Sequence, residues 1–284
     1  MQRVTKKQTP SNVMLLSKAI GLVILTLILF FIWDVSKTNM QAADQKAEMS
    51  ASSEFRDTSI SLKAKDDSAK TLDAHFKINP NKHVTDKTIF FTFDDGPSAT
   101  SNELLDVLKA YEVKATFFML GRQIKEHPLA VKRMHQEGHQ LGLHGITHDV
   151  KRFYQYSDSP VNEMKEDQRI LASVTGEYTH LVRTPYGSVP NLTDQQKTRL
   201  KEKGFIYWDW TIDSLDWKYK SSKYVPEVLN QLHVLETKNQ KEPKIILMHD
   251  QPATAKYLGS LITQLKAKGY TFEVLDETMS PLHQ

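Results

Sequence analysis

From Lys87 to the end of the chain, short apolar runs alternate with longer segments whose apolar residues recur every three or four positions. The first pattern predicts buried strands and the second amphipathic helices. Strands are expected at Thr88–Phe93, Lys114–Met119, Gln140–His144, Thr179–Val182, Phe205–Trp208, Lys244–Met248 and Tyr270–Val274. Helices are expected between them, at Asn102–Tyr111, Pro128–Glu137, Val161–Val174, Thr193–Lys203, Tyr224–Glu236 and Ala253–Lys268. In the first of these, Leu104, Leu105 and Leu108 share one face. Gly138, Gly176, Gly204 and Gly269 follow four of the helices, where a residue of positive φ closes the last turn. Seven strands with helices between them in about 200 residues predict a parallel α/β fold. No GxGxxG or GxxxxGK[ST] phosphate loop is present, and the polar residues of interest fall at the carboxyl ends of different strands. Barrel enzymes build their sites there. A barrel of about seven strands is the expected architecture.

The pattern before Lys87 differs. Ala19–Trp33 (AIGLVILTLILFFIW) is an unbroken apolar run of 15 residues, about 22 Å long as a helix at ~1.5 Å per residue. Extended back to Val13 it reaches 21 residues, enough to cross a hydrocarbon core of ~30 Å with Lys18 snorkelling to the headgroups. Arg3, Lys6 and Lys7 precede it, which orients the amino terminus to the cytoplasm and the body outside. Residues 1–12 are therefore expected to be a cytoplasmic tail and 13–33 a single-pass signal-anchor in the cell membrane. Secretion after signal cleavage is the alternative, although cleavage wants small residues at alternating positions and the segment after Trp33 offers only the pair Ser36/Thr38, neither Met40/Ala42 nor Gln41/Ala43 fitting. Residues 34–86 are polar, rich in Lys, Asp, Ser and Ala, and lack periodicity. Such a segment buries too little surface to offset its ordering entropy and reads as an extracellular stalk. Within it, Leu72–Ile78 suits a strand or packing on the main domain, 87–284.

Composition narrows the classes of function. Hydrophobic residues at 39% and charged residues at 25% suit a soluble body rather than a multi-spanning protein. Cysteine is absent, which excludes disulfide frameworks, thiolate metal sites, cysteine nucleophiles and a lipid-modified amino-terminal cysteine. The net charge of +3 is concentrated: the first 37 residues carry five Lys/Arg and one acid, the remainder 32 and 33. A near-neutral body lacks the basic field that phosphate backbones require, so nucleic acid is not an expected partner.

Five short motifs stand at successive expected strand ends. The first strand runs into Asp94-Asp95-Gly96-Pro97. Two adjacent carboxylates leaving a buried strand are costly without a compensating cation, although a bare DDG is more often an acidic loop in solvent. The third strand leads into His144-Gly145-Ile146-Thr147-His148, whose histidines four apart meet on one side of a helical turn and can share a metal. A lone HxxxH is common by chance. Arg183-Thr184-Pro185-Tyr186-Gly187 follows the fourth strand, Asp213-Ser214-Leu215-Asp216-Trp217 the fifth, and Leu247-Met248-His249-Asp250 closes the sixth. Each alone suits a turn, an ion pair or a core aromatic; their joint order is what points to chemistry. The remaining histidines, among them His75, His127, His135 and His233, lack such placement. Trp208 and Trp210 suit the core, while Phe153, Tyr154 and Tyr156 suit either a sugar groove or loop packing.

Together these residues resemble the polysaccharide deacetylases of the NodB-homology type, carbohydrate esterase family 4, over roughly Lys87 to Leu275. The family motifs TFDDG, H-[ST]-x-x-H, R-x-P-[YF]-x, D-x-x-D-W and L-x-H read here as TFDDG, HGITH, RTPYG, DSLDW and LMH. The resemblance implies a distorted, incomplete (β/α) barrel. It implies a divalent metal, zinc or cobalt, held by Asp95, His144 and His148. It also implies Asp94 as general base, Arg183 orienting it, His249 as general acid with Asp216 as its partner, the backbone N–H of Tyr186 (following Pro185) as oxyanion donor, and Trp217 as a wall of the acetyl pocket. Gly145 departs from the family's Ser or Thr, a hydroxyl associated with fixing the histidine loop; the change removes no ligand and bears on metal affinity. The activity implied is removal of N-acetyl groups from N-acetylglucosamine units of a cell-wall glycan, peptidoglycan first. A wall-linked polysaccharide or its linkage unit is the alternative substrate. A silent glycan-binding module and a metal-dependent phosphodiesterase are the readings from other classes.

Overall fold

The computed structural model describes residues 84–238 and 242–284. All of them belong to one of the two compact units into which the chain divides, Phe76–Gln284. The expected tail and anchor, and the stalk up to residue 83 with Leu72–Ile78, lie outside the described residues. Among the described residues, no helix is long and apolar enough to cross a membrane.

The body begins with β1 (Thr88–Asp94), whose seven residues are all buried. That is the signature of a central strand covered on both faces. It is followed by α1 (Ser101–Ala110), β2 (Thr116–Met119), α2 (Gly121–Glu126), α3 (Pro128–Gln136), β3 (Gln140–Leu143), α4 (Val150–Phe153), α5 (Ser159–Thr175) and β4 (Leu181–Val182). The second half holds α6 (Asp194–Glu202), β5 (Ile206–Tyr207), β6 (Ile212–Asp213), α7 (Asp216–Tyr219), α8 (Tyr224–Thr237), β7 (Lys244–His249), α9 (Pro252–Ala267) and β8 (Thr271–Glu273). All pairings are parallel. The order is β5-β4-β3-β2-β1-β7-β6, with β8 beside the first half of β1. This is a curled half-barrel with seven strands along its path and β8 as an eighth flanking β1, in line with the expected incomplete barrel of about seven.

The seven expected strands are present, each trimmed or extended by a residue or two. Strand β6 was not expected, because two residues are too few to carry an alternation. Its pairing with Ile246 and Leu247 of β7 comes from tertiary contact. The short helices α2, α4 and α7 escaped the periodicity for the same reason.

Side-chain parity decides where the chemistry sits. Ile89, Phe91 and Phe93 of β1, Phe117 and Met119 of β2, Val182 of β4, and Ile246 and Met248 of β7 pack outward, in the core with the helices. Phe90, Phe118, Leu181 and Ile245 instead pack inward with Trp208 and Leu275. Residues of the inward parity at the strand ends are Asp94, Arg183 and His249, and His144 directly follows β3 with the parity of Gly142, the partner of inward Phe118. A period of two thus carries the polar residues onto the inner face at one end of the half-barrel.

The sheet does not close between β5 and β6. Met279 and Leu282 pack there against the inner core. The Leu282 carbonyl accepts the Asp209 N–H at 2.9 Å, the His283 ring stacks on Tyr207 at 3.9 Å, and the Gln284 N–H reaches the Asp209 carboxylate at 2.9 Å.

Candidate active site

The adjacent carboxylates of β1 diverge because Asp95 takes φ +70°, a conformation that Asp tolerates better than most residues. Asp94 stays on the inner face and is almost fully buried. Its Oδ1 accepts Arg183 Nη1 at 2.9 Å, while Oδ2 accepts no hydrogen bond among the described residues and lies 3.9 Å from His144 Nε2. Arg183 is fully buried. It is held by Thr92 Oγ1 at 2.6 Å and by the carbonyls of Trp208 and Asp209 at 3.1 and 3.0 Å. Its guanidinium lies 4.3 Å over the Phe118 ring. Every donor aimed at Asp94 is thus fixed before any ligand arrives.

Asp95 turns toward the loop after β3. Its Oδ1 is 3.4 Å from His144 Nε2 and 3.1 Å from His148 Nε2. The ligand-competent atoms of the three residues lie within 4.8 Å of one another. The histidines do not share a helical turn, as the spacing suggested. The segment between them is a loop, with Gly145 at φ +90° and His148 at +48°, and it sets the two rings 5.2 Å apart. Burial works against the Asp95 carboxylate, but the imidazoles of His144, His148 and His249 outweigh it and hold the group well below the usual carboxylate range.

Two observations bear on whether these residues fit a cation. Asp95 Oδ1 is buried, yet accepts no hydrogen bond of proper geometry from the nitrogens that face it. His144 Nδ1 lies 2.7 Å from the Arg183 carbonyl. A carbonyl only accepts, so Nδ1 carries a proton, and Nε2, the nitrogen that faces Asp95, becomes the ligating atom once the ring is neutral. A metal-ligating histidine typically donates its second ring N–H in this way. Two imidazole nitrogens converging on an unsatisfied carboxylate oxygen fit a divalent cation, and two imidazoles with one carboxylate suit zinc while leaving an open position.

His249 faces Asp94 across the β1–β7 register. Its Nδ1 and its backbone N–H both reach Asp216, at 2.8 Å each. Asp216 is fully buried and also accepts the Trp217 N–H at 2.8 Å and the Thr254 hydroxyl at 2.5 Å. Burial alone would lower His249, but Asp216, then Asp94 and Asp95, push it up to about 9. With Nδ1 committed to Asp216, Nε2 is the atom left to face a substrate.

The RTPYG loop completes the mouth. Tyr186 is at φ +64°, and its N–H donates to nothing among the described residues. Its ring is exposed, 4.7 Å from that of His148, and its hydroxyl reaches the His148 carbonyl at 3.3 Å. Gly187 follows at φ +85°, where a Cβ would meet Trp210 at 2.9 Å, so the turn needs glycine. Pro185 is held through its carbonyl, which accepts the Tyr154 hydroxyl at 2.6 Å. Trp217 is 50% exposed, so it is not a core residue, whereas Trp208 is fully buried.

All ten residues singled out from the motifs therefore gather at one end of the half-barrel. Two supporting residues were not anticipated. Thr92 was readable, being two positions before Asp94 on the same face. Thr254 lies inside α9 with no local signal. Of the aromatics read as groove or loop packing, Tyr154 packs on the loop through Pro185, and Phe153 is core.

Residues 81–205 match the polysaccharide deacetylase family. Bacillus subtilis YheN is 46% identical over 284 residues, 100% of both chains. A peptidoglycan-N-acetylglucosamine deacetylase of Bacillus cereus is 42% identical over 192 residues, 67% of this chain and 70% of its own. The crystal structure of the polysaccharide deacetylase Bc1974 from Bacillus cereus is similar with a TM-score of 0.59 and 42% identity, covering 67% of this chain and 93% of that one.

Proposed function

The chain belongs to the polysaccharide deacetylase family, and from that premise we propose that it hydrolyses the N-acetyl groups of N-acetylglucosamine in peptidoglycan. The observation that carries the reading is the convergence of Asp95, His144 and His148 on one point, beside an Asp94–His249 pair in register on neighbouring strands. The substrate class is supported by the relative from Bacillus cereus named for that activity.

In this reading Asp95, His144 and His148 hold a divalent cation, zinc or cobalt. Bound there, such an ion supplies Lewis acidity toward an amide carbonyl and toward water. The remaining steps belong to the chain. Asp94 Oδ2, free while Arg183 occupies Oδ1, takes a proton from the attacking water. The Tyr186 N–H, without an internal acceptor, donates to the oxyanion that develops on the acetyl carbonyl. The amide nitrogen leaves only once protonated, and His249 Nε2–H is the donor, kept charged by Asp216. Acetate and a free amine result. Trp217, half exposed at the mouth, flanks the acetyl methyl.

For the amino-terminal part, we propose a cytoplasmic tail (1–12), a single-pass anchor (13–33) and an extracellular stalk (34–86) that lets the catalytic body reach the wall. Protease shaving of intact cells tests this: the body should be released while the anchor stays with the membrane.

The activity is tested with the full chain, in detergent, loaded with zinc or cobalt. Peptidoglycan, wall polysaccharide and chitooligomers are compared for acetate release and new amines. Acetate from peptidoglycan is the expected result. Acetate only from wall polysaccharide would reassign the substrate, phosphate-containing products would reassign the reaction, and no product from any glycan would leave a binding module.

A further inference from the structure

The loop that carries His144 and His148 is held from outside by helix α5. Glu163 and Asp167 stand one turn apart there, spaced to reach the same segment. Asp167 Oδ2 accepts the N–H groups of His144 and Gly145 at 3.0 and 2.9 Å. Glu163 Oε2 accepts those of Ile146 and Thr147 at 2.9 and 3.0 Å, and its Oε1 takes the Thr147 hydroxyl at 2.6 Å. Four consecutive backbone donors, 144 to 147, thus end on two carboxylates. Among the described residues only the His144 N–H has another acceptor, the Met119 carbonyl at 2.8 Å.

Gly145 fits this arrangement, and a side chain there would crowd it. At φ +90° an L-residue is strained. A Cβ there would come within 2.9 Å of Phe153 Cε2 and 3.0 Å of Glu163 Oε2. A hydroxyl-bearing side chain at 145 would therefore displace the carboxylate that organises the next two residues. The support that a side chain at 145 would give from within the loop is supplied here by the neighbouring helix.

We infer that Glu163 and Asp167 are positioning residues for the metal centre: by fixing the backbone of residues 144–147 they set the geometry of His144 and His148 and hence the affinity for the cation. The inference rests on the reading of Asp95, His144 and His148 as ligands. Groups that hold ligands in place typically contribute 10–100-fold to metal affinity.

The test uses the full chain stripped of metal, with zinc affinity measured by competition against a chromophoric chelator and the visible spectrum of the cobalt form recorded. Glu163→Ala removes three hydrogen bonds to the loop and is expected to weaken zinc binding about 10–100-fold and to alter the cobalt spectrum, with the metal-free melting temperature nearly unchanged. Glu163→Gln is expected to stay near wild type. Its amide oxygen can accept both N–H groups while its NH2 donates to the Thr147 oxygen. Wild-type zinc affinity and cobalt spectrum in Glu163→Ala would overturn the proposal, as would a loss confined to the metal-free melting temperature. A fall in Glu163→Gln equal to that in Glu163→Ala would also overturn it, by making charge rather than hydrogen bonding the cause. Should the wild-type chain itself take up no zinc, the ligand assignment fails instead.

Discussion

Replacing Asp216 by Asn tests how the candidate proton donor is kept charged. The carboxylate accepts four hydrogen bonds, two from His249 and one each from Trp217 and Thr254. A carboxamide has only one accepting oxygen, so its NH2 must face at least one donor that Asp216 satisfied. His249 now stands at about 9 against an ordinary 6.5, a difference of about 3 kcal/mol at ~1.36 kcal/mol per unit. That gain is achieved against burial, with Asp216 the leading contributor. Its loss is expected to lower the His249 value by about two units. In acetate-release assays the alkaline limb of kcat should move down by the same amount. The rate would fall roughly tenfold at pH 8 and less than about twofold at pH 6, as the protonated fraction dictates. Stability should follow the same sign. The wild-type pair stabilises the fold fully below pH ~6.5 and loses that contribution as pH rises through about 9, and the variant should lack this dependence. An alkaline limb that does not move would refute the assignment of His249 as donor, whatever the loss in overall rate.

Asp94→Asn should retain zinc and lower turnover by about 10²–10⁴-fold, the range for one acid–base group; near-normal turnover would remove Asp94 from the reaction. His148→Ala should lose zinc on dialysis, measured by elemental analysis, whereas unchanged zinc content would contradict the ligand set. Gly145→Ser should weaken zinc binding rather than strengthen it, because the added atoms meet Phe153 and Glu163; tighter binding would show that the loop relaxes freely.

Much of this architecture was legible because two signals are local. The run TIFFTFD reads as a strand buried on both faces, and its parity already placed Thr92 and Asp94 opposite Phe91 and Phe93. The ordered motifs then named the polar residues at each strand end. What could not be read depends on geometry that sequence spacing does not encode. The divergence of Asp94 and Asp95 follows from one positive φ, and the His144–His148 approach from a loop rather than a helical turn. The acceptors of that loop sit on α5, where Asp167 falls on the apolar stripe between Met164 and Leu171 and Glu163 at its edge, but nothing in the spacing says which backbone such a carboxylate would meet. Strand β6 and the seam beside it exist only through contacts made by distant residues.

The packing of the last few residues into the seam between β5 and β6 reaches further than its location suggests. The Leu282 carbonyl anchors the Asp209 amide, the Asp209 carbonyl anchors the Arg183 guanidinium, and Arg183 aims the Asp94 carboxylate. Alignment of a proton acceptor near the start of the body is thereby tethered, through three links, to Leu282 in the seam. Disturbing the backbone at 282–284 would be felt first in turnover and only later in the integrity of the scaffold.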